Sequence, residues 1–409
     1  MRRQRHAVLA ALVLYALGLA YLSLAYSGRW ACTEVPLFGP RLLSYPRADI
    51  LANVVAYVPF GAMLAYAAAG TADRGWSRAL VAALVVGAAL SLGLELTQAC
   101  LPGRTSSWAD VAANLAGVAV GALLALVWHR LVQDAGGAGP FGLLADPPVG
   151  PLALAALLAW VAHQTFPWSL SIGLETFRQS VAIVEPLLAG AAELDPMTLA
   201  RHTVSWLSAG LLLRAVSRPG TPVVPAMLLL AALTIGVQLF LELPRLSEES
   251  IVGLALALPV LLLLDYPPAH ALHPQLLLAA TLALTALHQL QPGPYAVYYR
   301  FSWLPVFGGG SPLGALQTGL FFFACALAYA VAAAWMRPER PRWAIIAALT
   351  VAWQLLLELA QTRVPGRVPD TSTPLLLAAG WAIALVLVST AAGRRPTRTT
   401  TAARPAPEG

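Results

Sequence analysis

The chain has 409 residues, of which 58% are apolar and only 11% charged, with a mean hydropathy of +0.71. A soluble globular protein carries about 25% charged residues, so this composition excludes one and leaves a polytopic, all-α membrane protein. All 25 basic residues are Arg, and no basic stripe is interleaved with aromatics, which argues against a nucleic-acid partner.

Windows of about 20 apolar residues predict transmembrane helices near 7–26, 50–70, 77–99, 108–128, 149–167, 198–217, 222–242, 250–265, 274–290, 312–335, 343–362 and 374–392. The first follows Met-Arg-Arg-Gln-Arg, as a signal peptide would, but its length and the lack of a small-x-small cleavage site point to a retained anchor. Twelve spans put both termini in the cytoplasm of a plasma (inner) membrane. Most Arg then fall inside and most acids outside, as the positive-inside rule requires. Two segments are not spans. Residues 170–192 alternate apolar positions at spacings of four and three (Leu170, Leu174, Phe177, Val181, Val184, Leu188), which predicts one amphipathic helix in the outer interface. The Arg-, Thr- and Pro-rich tail over 393–409 reads as disordered and cytoplasmic.

The hydrophobicity hides a repeat. Residues 95–104 (E-L-T-Q-A-C-L-P-G-R) and 358–367 (E-L-A-Q-T-R-V-P-G-R) share six of ten positions at a shift of 263, which also carries Gly117 onto Gly380. Val35-Pro-Leu-Phe38 resembles Leu304-Pro-Val-Phe307, and a fainter middle copy leaves Leu243-Pro-Arg245 after the seventh span. The expected architecture is three four-helix units over 1–130, 131–266 and 267–392, each with a Pro/Arg loop on the outer side after its third helix.

The first unit concentrates polar groups near the outer ends of three helices. Glu95 and Gln98 share one face of the third helix, Asp110 and Asn114 one face of the fourth, and Asn53 and Tyr57 one face of the second. Acids inside apolar spans are costly unless paired or facing a cavity, and Arg104 on the short connector is their obvious partner. Two readings stand. Glu95, Arg104 and Asp110 form an ion-pair latch with Asn114 as hydrogen-bond glue, or Arg104 grips an anionic headgroup while Glu95 or Asp110 acts as acid, base or orienting group. Gln98, Asn114 and Asn53 would then position the ligand.

Asn53, Pro59-Phe-Gly61, Glu95-x-x-Gln98, Arg104 and Asp110-x-x-x-Asn114-x-x-Gly117 together resemble the VanZ-like family over residues 50–128. That resemblance implies a membrane protein of the cell envelope associated with low-level resistance to the glycopeptide teicoplanin; it implies no settled activity. The third unit keeps Glu358, Gln361 and Arg367 but has Thr373 and Leu377 where the first has Asp110 and Asn114. It reads as a degenerate second site in which Asp370 substitutes for the missing acid, and the middle unit reads as scaffold.

Other signals are weak. His163-Gln164 and His288-Gln289 end their spans as interfacial caps, with no metal-ligand spacing, and Phe307-Gly-Gly-Gly-Ser311 lacks the rest of a phosphate loop. No cofactor or metal is indicated. Cys32 and Cys100 both fall on the outer side, but sequence alone does not pair them; Cys325 reads as a small core residue. The leading expectation is a protein that binds or modifies an anionic membrane lipid or lipid-linked glycan at the outer leaflet. A multi-pass transporter or flippase is the alternative, and a non-catalytic scaffold or sensor is the third.

Overall fold

In the computed structural model the described residues are 2–24, 47–69, 75–101, 106–134, 145, 148–169, 173–218, 221, 223–242, 245–305, 312–336 and 343–392. Each of the twelve apolar segments folds as a helix, because a long apolar run can hide its backbone polar groups from lipid only in that form. They are α1 (Arg2–Leu24), α2 (Arg47–Ala69), α3 (Trp76–Gln98), α4 (Trp108–Asp134), α5 (Val149–Thr165), α8 (Pro196–Val216), α9 (Val223–Gln238), α10 (Glu248–Leu264), α11 (His273–Leu290), α12 (Pro312–Met336), α13 (Trp343–Gln361) and α14 (Ser372–Ala392). Five of them, α3, α4, α11, α12 and α13, contain stretches long and apolar enough to cross a membrane, and shorter apolar stretches lie in α2, α5, α9 and α14.

The expected amphipathic helix is instead two short ones, α6 (Leu174–Val181) and α7 (Val184–Ala189). Pro186 explains the break: it has no N–H to give the Ala182 carbonyl four residues earlier, and its ring crowds that oxygen. Leu174 and Leu188 remain exposed, while Phe177 stacks on Phe240 with ring centroids 5.9 Å apart.

The most extensive packing is of α2 on α4 and α8 on α10, while α12 packs against both α5 and α14. The first pair is the closest. A Cβ added at Gly117 would lie 2.2 Å from the Val54 carbonyl oxygen, and one at Gly121 would lie 1.9 Å from that of Val58. Only glycine lets two backbones meet so nearly, and the matched order of contacts means that α2 and α4 run parallel. The core around this seam includes Tyr57, Phe60, Ala65 and Val118; a larger one joins α5, α8, α11, α12 and α14 around Trp206, Phe322, Tyr329 and Trp381.

Hydrogen bonds gather the ends of α1, α3, α5, α11 and α13 at one end of the bundle, here the upper end. Gln98 Nε2 donates to the Ser23 carbonyl of α1 at 3.0 Å, Gln238 of α9 to that of Gln164 at 2.9 Å, and the Tyr21 hydroxyl to that of Pro305 at 3.4 Å. Cys100, just beyond α3, is disulfide-bonded, and Cys325 is a buried free thiol, as a core position implies. Cys32, the Val35–Phe38 segment, the glycine run over 307–311 and the tail over 393–409 lie outside the described residues.

Candidate functional site

The first unit does bring its polar side chains together. α3 delivers Glu95, only 4% exposed, to the connector that leads into α4, where Glu95 Oε2 accepts from the Ser107 amide at 2.9 Å. Its backbone carbonyl accepts from the Ser106 hydroxyl at 2.7 Å. Ser107 then caps α4, its hydroxyl oxygen accepting from the Ala109 amide at 3.0 Å. Across the glycine seam, Asn53 Nδ2 donates to Asp110 Oδ1 at 2.7 Å, a hydrogen bond to a charged group that contributes about 1.5–3 kcal/mol.

One turn deeper, Asn114 Nδ2 donates to Ser91 Oγ at 2.9 Å, while Asn114 Oδ1 is buried with no hydrogen-bond partner. The Tyr57 hydroxyl lies beside Ser91 and near Glu95 without a well-directed hydrogen bond. Gln98 stands apart from this cluster, tying α3 to α1. Arg104 lies outside the described residues.

A similar Glu-to-amide frame recurs around Glu358, with more side chains on the carboxylate. Glu358 Oε2 accepts from the Asp370 amide at 3.1 Å, the same 12-residue separation as Glu95 and Ser107. Asp370 is therefore not a substitute for Asp110, contrary to the sequence expectation. It matches Ser107, and its Oδ1 accepts from the Ser372 amide at 2.6 Å at the start of α14. Thr373 occupies the place of Asp110: its hydroxyl donates to Glu358 Oε1 and accepts from Gln289 and Gln354, each at 3.0 Å. Gln289 also donates to Glu358 at 3.1 Å and accepts from Gln361.

Arg367 forms no ion pair among the described residues. Its Nε donates to the Gln291 carbonyl at 2.6 Å and its Nη2 to that of His288 at 2.7 Å, so it caps the end of α11. A cation is favoured there by the helix dipole. Gly366 makes the turn possible: its φ of 73° lies in the left-handed region, and its amide donates to the Val297 carbonyl at 2.7 Å. Burial lowers the guanidinium pKa of Arg367, and likewise that of Arg245 in the α9–α10 connector.

A cavity of about 320 Å³ lies among α5, α8, α11, α12 and the end of α9, where sequence reasoning expects scaffold. Arg201, His202, Arg245, His163, His288 and Gln238 are among the groups on its wall. Phe321 sits between the two imidazoles, 4.1 Å from the His288 ring and 5.3 Å from that of His163 by centroids. His163 and His288 thus face this cavity, where the sequence suggests interfacial caps. Among the described residues no three His, Cys, Asp or Glu converge as a metal site.

Two signals in the sequence point to these missed groups. Arg201-His202 is a charged and titratable pair inside an apolar span, which by itself marks a functional candidate. Gln238 precedes Ser247 by nine residues, as Gln98 precedes Ser107 and Gln361 precedes Asp370. Residues 9–129 match the family model described as VanZ/LLP1. No curated protein and no solved structure matches the chain.

Proposed function

Because residues 9–129 form a VanZ-like domain in a protein with several helices able to cross a membrane, we propose that it acts on the cell envelope by binding or modifying an anionic lipid or lipid-linked glycan headgroup at the outer leaflet. The observation that carries this reading is the contrast between the two Glu-centred clusters. The carboxylate of Glu358 is held by Gln289, Thr373 and the Asp370 amide, with Gln354 Oε1 left unpartnered beside it among the described residues. The cluster around Glu95 and Asp110 keeps Asn114 Oδ1 without a partner and the Tyr57 hydroxyl poorly engaged. In this reading Arg104 holds the anion, Glu95 and Asp110 serve as acid, base or orienting groups, and Asn53 and Asn114 position the ligand. Gln98 contributes by fixing α3 against α1. A role related to glycopeptide (teicoplanin) resistance belongs to the same proposal.

The wider architecture in this proposal is twelve spans in three four-helix units, with both termini in the cytoplasm of the plasma membrane. The packing of α2 on α4, α8 on α10, and α12 on α14 supports it, as does the Glu-to-amide hydrogen bond repeated 263 residues apart. The disulfide at Cys100 supports an upper end that faces an oxidising compartment. The transporter alternative is favoured by one observation, the polar cavity beside α8 and α12.

Native mass spectrometry of the purified protein, with lipid extraction, tests the headgroup reading on wild type, Arg104→Ala and Arg367→Ala. We expect an anionic amphiphile that is lost in Arg104→Ala and kept in Arg367→Ala, whose guanidinium is engaged by backbone carbonyls. The same lipid profile in all three proteins, with Arg104→Ala less stable to heat, would make Arg104 a latch and overturn the reading.

A further inference from the structure

Two partly buried guanidiniums at the upper end form no ion pair among the described residues. Arg201 of α8 donates to Gln291 Oε1 at 2.7 Å, and Arg245 donates to Gln317 Oε1 at 3.0 Å. Both acceptors are neutral amides, so among the described residues most of the five N–H donors on each guanidinium have no protein partner. Asp195 and Glu249 lie near enough to attract Arg201, but among the described residues no carboxylate forms an ion pair with either Arg. Shielding two cations partly from water without an ion pair is unfavourable, and this chain has few charges to place.

Both Arg line the same cavity, reached from two directions: one from a helix, the other from the α9–α10 connector. Its wall holds two further unfinished groups. Gln238 is 3% exposed and its Oε1 has no partner, and His163 Nδ1 is also buried without one. Below them Leu212, Leu284 and Ala328 share the lining with Ser208 and Thr281. Two converging guanidiniums suit a tetrahedral anion, which offers oxygens in several directions, better than a planar carboxylate. An orphaned amide oxygen needs a donor, which a phosphodiester lacks and a hydroxyl supplies. The volume of about 320 Å³ sits at the small end for ligand sites, so it suits a headgroup rather than a whole lipid.

We propose that this cavity binds a phosphorylated polyol, with Arg201 and Arg245 holding the phosphate and Gln238 and His163 taking up its hydroxyls. The site is separate from the Glu95–Asp110 cluster and does not involve Arg104. The same chemistry is presented by a free polyol phosphate and by a glycerophospholipid headgroup whose tail lies outside the cavity.

The test uses the full chain in phosphatidylcholine nanodiscs, titrated calorimetrically with glycerol 3-phosphate. A second preparation carries phosphatidylglycerol in the disc and is read by native mass spectrometry. Wild type is expected to bind one of the two probes, with Arg201→Gln and Arg245→Gln each weakening binding about tenfold or more. Arg300→Gln, a charge-matched change at an exposed loop position, should leave binding unchanged. Ala324→Leu fills the cavity from α12 without removing a charge and should weaken binding as well. A response to glycerol 3-phosphate identifies the free source; retained phosphatidylglycerol without that response identifies the lipid. No binding of either probe to wild type overturns the proposal. So does undiminished binding in Arg201→Gln, Arg245→Gln or Ala324→Leu variants that melt like wild type. Should an Arg variant fail to fold, Ala324→Leu decides alone.

Discussion

Substituting Gly117 by Ala tests whether the α2–α4 seam governs the first cluster. The added Cβ would lie 2.2 Å from the Val54 carbonyl oxygen, about 1.2 Å short of the ordinary contact distance of 3.4 Å, and 2.9 Å from Tyr57 Cβ. The nearest obstacle is backbone in the middle of a helix, so no rotamer change relieves it and the helices must part. Overpacking of this kind costs about 1–3 kcal/mol, and an immovable backbone neighbour places Gly117→Ala at or above about 3 kcal/mol. The same parting lengthens the 2.7 Å bond between Asn53 and Asp110.

Gly380, at the corresponding place in α14, is an internal comparison. Its added Cβ meets the Ala326 methyl at 2.7 Å, which is fixed to its own backbone but leaves a smaller shortfall of about 0.7 Å against the same 3.4 Å distance. Gly380→Ala should therefore cost less, about 1–2 kcal/mol. Gly93 has nothing within 4 Å, so Gly93→Ala should be neutral or stabilising by up to about 1 kcal/mol through helix propensity. Equilibrium unfolding of the three variants in one detergent gives the ranking. Equal losses for Gly117→Ala and Gly380→Ala, or a loss below about 0.5 kcal/mol for Gly117→Ala, would refute the account of the seam.

Thr373→Val removes a hydroxyl that serves Glu358, Gln289 and Gln354, and should destabilise by about 3–6 kcal/mol because buried partners are left unpaired; Thr373→Ser should recover most of that in the same unfolding assay. Arg367→Ala should cost about 2–4 kcal/mol by loss of two charge-assisted bonds to α11, with Arg367→Lys intermediate, and hydrogen exchange should rise at the α11 C-terminus. Asp195 caps α8, and hydrogen bonds from the Thr198 hydroxyl and amide hold its carboxyl below the usual range. The depressed pKa means that its contribution is present above the unfolded-state value of about 3.9 and is lost as pH falls through the lower folded value. Asp195→Asn should flatten that acid limb of a stability-against-pH curve and lower the neutral plateau by the same contribution, so that the two curves converge at acid pH.

Periodicity and span length located every long helix, since a run of apolar residues leaves the backbone little choice. The break between α6 and α7 was also written in the chain, at Pro186, but the regular apolar spacing on either side masks it. The role of Asp370 was misjudged for a different reason. Residue type suggested an acid replacing Asp110, whereas register decides the matter, and register places Asp370 on Ser107 and Thr373 on Asp110. The Glu95–Asn53–Asp110 neighbourhood was legible because its members recur at helical spacing on adjacent helices. The cavity was not, since its wall draws on α5, α8, α9, α11 and α12, and contacts between faces so distant in sequence leave no local pattern.

The Arg367 clasp also dictates an order of assembly. Its acceptors at Gln291 and His288 precede it by 76 and 79 residues, with α12 and α13 made in between. While the chain is being synthesised, the α11 C-terminus therefore lacks this cap until the turn at Gly366 has emerged. Only then do the α11–α12 connector and the α13–α14 turn join, through the Gly293 amide on the Pro365 carbonyl at 2.9 Å and the Ser302 amide on that of Pro369 at 3.0 Å. The last helical pair thus fastens a segment laid down long before it, and a chain truncated ahead of residue 366 would leave the α11 C-terminal carbonyls without this clasp, held among the described residues only through the Gln291 side chain on α8.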